Sequence, residues 1–147
     1  SHAMCDFIRS FGQGFIFSTS MPPSVAAGCL AAIKYVSAHN EIRIKHQHNA
    51  KLLRQNLESA GIPHMDNPSH IVPVMVGNPV LCKKASDMLM EKYHHYVQPI
   101  NYPTVPKGTE RLRFTPSPEH TEEMMDDLVA SLVKVWSTLA LEKVAAE

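Results

Sequence analysis

A chain of 147 residues, 44% of them apolar and 11 of them proline, has the size and make-up of one packed domain, or of a small domain joined to part of another. Lysine plus arginine and aspartate plus glutamate number 14 each, which excludes the basic footprint of a nucleic-acid binder and the charge excess of an acidic tail. Cys5, Cys29 and Cys82 are an odd number at wide spacing without a CxxC pair, so they read as reduced thiols, not as a disulfide framework or a zinc site.

No apolar run approaches the ~20 residues that span a bilayer, and no signal peptide is visible, so a soluble, intracellular protein is expected. Ser1-His2, through Met4, looks like a cloning remnant, in which case Ser1 is not the natural start. Asp6–Ser20 shows no obvious helix start and runs into GFIFSTS, an apolar strand-like run bounded by Gly14 and a Ser/Thr cluster. Ser20 followed by Met21-Pro22-Pro23 signals a helix, because proline is tolerated in the first turn. Val25, Cys29, Ile33 and Val36 repeat at helical spacing, with Ala26, Ala27, Leu30, Ala31 and Ala32 on the other faces. A helix apolar nearly all round is normally buried on several sides. Asn40 and Glu41 mark a break and a fresh start, after which Ala50, Leu53, Leu57 and Ala60 form a stripe that Gly61 and Pro63 terminate.

His70–Val76 reads as a strand in which Pro73 favours an edge. Gly77-Asn78-Pro79 is a turn with Asn78 as N-cap of a helix that carries Leu81, Ala85, Met88 and Leu89 and ends near His94-His95. Tyr96–Ile100 is a second strand, and Asn101–Thr109 a loop long enough to suggest a functional role. Glu110–Thr115 is a third strand, with Leu112 and Phe114 on one face and Arg111 and Arg113 on the other. That second face is either a clamp for a substrate carboxylate or a solvated surface on which both arginines pair with acids. Thr121 caps a last helix with Glu122 and Glu123 in its first turn and a stripe of Met125, Leu128, Val129, Leu132, Trp136 and Leu139. The order predicts an α+β architecture: a three-stranded, mainly antiparallel sheet, the arginine strand central, with helices on one face.

Other candidates are weaker. His46-x-His48 and His94-His95 match no metal pattern, so no metal is expected. Ser18, Thr19 and Ser20 offer hydroxyls ahead of a helix N-terminus, as a phosphate contact or as an N-cap cluster and nothing more. His70 reads as a buried, hydrogen-bonded histidine, and Met88, Met90, Met124 and Met125 as core filler.

GFIFSTSMPPSVAAG, SHIVPVMVGNP, YVQPINYPTVPKGTERLRFTPSP and the closing helix together resemble the C-terminal portion of the pyridoxal-phosphate-dependent α-oxoamine synthases, from about Asp6 to Trp136. The flanking QPIN and FTPSP resemble the branch that condenses glycine with succinyl-CoA to 5-aminolevulinate, CoA and carbon dioxide, the first step of haem biosynthesis. The resemblance implies a fold-type I transferase acting as a homodimer. Residues 1–21 would close the large cofactor-binding domain, 22–60 would be connecting helices and 61–147 the C-terminal small domain. By the same resemblance Arg113 holds the glycine carboxylate and Thr104 lies near succinyl-CoA. Ser18, where the family usually has threonine, and Thr19 beside it would reach the pyridoxal phosphate of the neighbouring subunit. The Schiff-base lysine would lie before residue 1, so the chain reads as an enzyme fragment inactive alone, from the bacterial cytoplasm or, alternatively, the mitochondrial matrix. Sister α-oxoamine synthases, of the 2-amino-3-ketobutyrate CoA ligase or 8-amino-7-oxononanoate synthase type, are the second reading. A freestanding regulatory domain for a small ligand is the third, opposed by the apolar N-terminal segment.

Overall fold

The structure, a computed structural model, describes residues 1–142; residues 143–147, the end of the expected tail and small domain, lie outside it. The chain divides into two compact units, Ser1–His39 and the remainder from Asn40.

The first unit is helical: α1 is His2–Phe11, α2 is Gln13–Ile16 and α3 is Pro23–Ala38. The expected strand over GFIFSTS does not form, and the stretch before it, read as lacking a helix start, is α1. Ser1 caps α1 by accepting the Met4 N–H at 3.3 Å. A strand needs a neighbour for its N–H and C=O groups, and the described residues of this unit contain none. The backbone turns on itself instead, with the Phe15 and Ile16 N–H groups both donating to the Gly12 carbonyl at 2.9 Å. Gly12 is required there, since a Cβ would lie 2.6 Å from the Ile8 oxygen. Helix α3 has the expected start, but its expected burial is absent: none of its residues is buried within the described chain.

The second unit contains the packed core. Helix α4 (Asn40–Ser59) is followed by β1 (Val72–Met75), α5 (Pro79–Tyr93), β2 (Gln98–Ile100), β3 (Arg111–Phe114) and α6 (Glu122–Leu139). The sheet order is β1-β3-β2 and both pairings are antiparallel, with Val74 opposite Leu112 and Ile100 opposite Arg111. Val72, Val74, Leu112 and Phe114 project from one face into a core closed by α4, α5 and α6. Leu53, Leu57, Leu89, Leu132 and Trp136 fill it. Such side chains contribute on the order of 1.5–3 kcal/mol each when buried, which is what fixes the register of so short a sheet.

Sequence cues for the helix ends hold. The Asn78 side chain accepts the N–H groups of Val80 and Leu81 at 3.0 Å each, and Thr121 accepts that of Met124 at 3.2 Å. His94 closes α5 in the left-handed region at φ 61. Strand β1 is shorter than the expected His70–Val76: before its start the Arg54 guanidinium takes the carbonyls of Ser69 and Ile71, and after its end the Val76 and Gly77 N–H groups converge on the Glu110 carbonyl. Pro73 does lie on an edge strand, its carbonyl accepting the Met65 N–H at 2.9 Å outside the ladder. Met88 and Met125 are core residues as expected; Met90 and Met124 are not, being 52% and 56% exposed. His70 is half-buried, not buried, its ring 4.6 Å from that of His46.

Candidate functional site

Strand β3 carries two arginines on the face opposite the core, and the structure treats them differently. Arg111 turns back on its own surroundings: Nε donates to the Thr109 carbonyl at 2.8 Å and Nη1 approaches the Met65 sulfur at 2.8 Å. Among the described residues the Arg113 side chain has no hydrogen bond or ion pair, and neither arginine pairs with an acid. Arg113 lines a cleft of about 470 Å³ together with His94, His95, Tyr96, His120 and Asp127. A guanidinium held on the central strand, with its donors unclaimed, is suited to a carboxylate.

Polar groups on two neighbouring elements shape that cleft. His95 Nε2 lies 3.3 Å from Asp127 Oδ2, joining the end of α5 to α6. His120 Nδ1 accepts the Ser117 N–H at 2.9 Å, which leaves Nε2 to carry the ring proton. The turn after β3 is fixed from behind by Asn49, only 3% exposed, whose Nδ2 donates to the carbonyls of Ser117 and His120 at 2.8 and 2.9 Å. Sequence reasoning passed over Asn49, although an asparagine four residues before Leu53, in line with the apolar stripe of α4, was the available signal.

The loop 101–109 precedes β3 and is held at both ends. The Asn101 side chain donates to the Pro79 carbonyl at 3.2 Å, and the Asn101 carbonyl accepts the Thr104 N–H at 2.9 Å. Thr109 Oγ1 donates to the Pro106 carbonyl at 2.7 Å. Gly108 has φ 85, a conformation that favours glycine, and its N–H donates to Glu110 Oε2 at 2.9 Å. Thr104 is exposed on the loop and does not line the cleft of Arg113. Glu110 is fully buried, which nothing in its polar sequence neighbourhood signalled. Cys82, also buried, has its thiol pushed up to about 11 by burial, a push that the backbone at Ile100 opposes and the Glu110 carboxylate reinforces.

Ser18 and Thr19 belong to the other unit and lie in the exposed turn between α2 and α3. They do not cap α3, whose N-cap is Pro22 without a side-chain bond. Ser18 Oγ instead donates to the Phe15 carbonyl at 2.9 Å. No helix among the described residues is long and apolar enough to cross a membrane.

An antiparallel sheet covered on one face by helices places the fold among the pyridoxal-phosphate transferases, as the comparisons show. The profile of aminotransferases of class I and II matches residues 1–132, and the chain belongs to that family. Within it the chain is similar to curated 5-aminolevulinate synthases: 53% identical over 99% of this chain to that of Rhizobium meliloti, and 52% identical over 96% to the mitochondrial one of Kluyveromyces lactis. It spans 36% and 25% of their respective lengths. A solved high-resolution structure of SPT with PLP superposes with a TM-score of 0.86 at 25% identity, over 95% of this chain and 35% of that one.

Proposed function

We propose that this chain is the C-terminal part of a 5-aminolevulinate synthase, a homodimeric pyridoxal-phosphate enzyme of the bacterial cytoplasm that condenses glycine with succinyl-CoA. One observation carries the reading: Arg113 presents an unclaimed guanidinium from the central strand, while Arg111 on the same face is taken up by Thr109 and Met65. Identity near one half with relatives of that name supports it.

In this reading Arg113 grips the glycine carboxylate with its planar fork and so fixes which Cα bond faces the reacting centre. Thr104 offers its hydroxyl to the acyl-CoA from the exposed crest of the loop. Pyridoxal phosphate supplies the electron sink, and the protein supplies placement and electrostatics. Ser18 and Thr19 suit its phosphate, since both are exposed hydroxyls. Ser18 would exchange its surface bond to Phe15 for one to the phosphate at little net cost. We assign residues 1–21 to the end of the large domain, 22–60 to connecting helices and 61–147 to the small domain. The lysine that binds the cofactor is assigned to the upstream part of the enzyme that the relatives' extra length represents.

The test is made on the full-length enzyme, with glycine and a panel of acyl-CoA thioesters. Succinyl-CoA should be preferred, and Arg113→Leu should lower kcat/KM for glycine by roughly a hundredfold to several-thousandfold, since losing one member of a charge pair in the closed site of the intact enzyme costs about 3–5 kcal/mol. Arg113→Lys should recover part of the loss, because an ammonium restores charge but not the fork. Arg111→Leu is the matched control and should be milder toward glycine. Equal loss toward glycine and succinyl-CoA in both variants would defeat the assignment.

A further inference from the structure

Glu110 is a carboxylate with 0% exposure, and among the described residues it has no cationic partner. Acids are almost never buried to that degree unpaired. Its Oε2 accepts the Gly108 N–H at 2.9 Å, and its Oε1 is buried without a hydrogen-bond partner. Among the described residues, the single polar contact that the side chain makes is therefore with the loop that carries Thr104. We infer that Glu110 is a positioning residue for the acyl-CoA side of the reaction, its buried carboxylate holding the 101–109 loop, and with it Thr104, against the sheet. This inference rests on the function proposed above.

The main chain of Glu110 is anchored separately from its side chain. Its carbonyl accepts the N–H groups of both Val76 and Gly77 at 2.9 Å, and β3 beyond it is held by backbone pairing of Arg111 with Met75 and Ile100. Changing the side chain leaves those bonds in place. What it releases is the Gly108 peptide, which is held by Oε2 on one side and packs close to Gly77 on the other, where a Cβ would lie 3.5 Å from the Gly108 oxygen. A charge-assisted bond from a backbone N–H is among the stronger ones. Arg113 lies deeper in the sheet, paired with Pro73 and Gln98, and does not depend on it. The two substrates should therefore respond differently.

The experiment uses the full-length pyridoxal-phosphate holoenzyme with Glu110→Met and Glu110→Gln. Methionine fills the same space without an acceptor, and relief of the cost of burying an unpaired charge offsets the lost bond, so the melting temperature should change little. KM for succinyl-CoA should rise about tenfold to a hundredfold in E110M, the scale of loss that a small misplacement produces, while KM for glycine changes by less than about twofold. E110Q keeps a carbonyl that accepts the Gly108 N–H and should restore most of the loss. Amide exchange at Gly108 should quicken in E110M and not in E110Q; should E110M not pack, E110A is read by the same exchange. Unchanged succinyl-CoA kinetics in a folded E110M, equal losses for both substrates, or unchanged exchange at Gly108 overturns the inference. If the enzyme does not use succinyl-CoA at all, the proposed function fails, and the exchange measurement still decides whether Glu110 holds the loop.

Discussion

Cys82 lies at the foot of the same loop, and its chemistry follows from where it is. Its thiol, ordinarily near 9.0, is pushed up to about 11. Between those values the unfolded chain releases the proton and the native one retains it, so stability is whole below pH 9 and declines as pH rises toward 11. The loss is on the order of 2–3 kcal/mol. Urea midpoints at pH 8 and pH 10.5 should fall apart in the wild type and draw together in Cys82→Ala; Cys5 and Cys29, both exposed, should meanwhile take up a thiol reagent well before Cys82. At this scale the sequence resolves faces but not partners. Alternation put Arg111 and Arg113 on one side of a strand, yet Arg111 is claimed by Met65, 46 residues away. Glu110 sits between Thr109 and Arg111, where an acid ordinarily faces water, and only the fold of the loop over it makes it a buried group.

Helices and strands were legible where the deciding forces are local. Asn78 before a proline and Thr121 before two glutamates give the starts of α5 and α6 because an N-cap bond spans two or three residues. GFIFSTS misleads for the opposite reason: a strand is defined by its neighbour, and the pattern cannot supply one. The same dependence on a distant contact gives a prediction for α4. Asn49→Leu would leave the carbonyls of Ser117 and His120 without their donor, at a cost of about 1–3 kcal/mol. Chemical denaturation should show that drop, and exchange should quicken across residues 116–120, while α5 keeps its protection. An unchanged denaturation midpoint would mean that the turn holds without α4.

The two units differ as objects. From Asn40 onward there is a continuous core around Leu53, Leu89 and Trp136, whereas α1, α2 and α3 contain no buried residue, and Phe11, Ile33 and Phe17, the last of these just after α2, are exposed, Phe17 to 84%. Exposed apolar side chains in such number favour association in water. Sedimentation of the 147-residue chain should show self-association, and residues 40–147, which possess their own core, should sediment as a monomer with a cooperative melt. A monodisperse full chain whose α1–α3 amides exchange as slowly as those of α5 would contradict this. The prolines of the sheet have a related consequence at its rims. Pro73 directs its carbonyl to Met65, outside the ladder, and Pro99, opposite a Leu112 that bonds toward β1, likewise faces outward, where its carbonyl takes the Gln98 side chain. An incoming β-strand from another molecule would therefore find no N–H at the midpoint of either rim. The rims of this sheet are therefore poor templates for a further strand, and the exposed apolar helices of the first unit are where association of the chain is expected to begin.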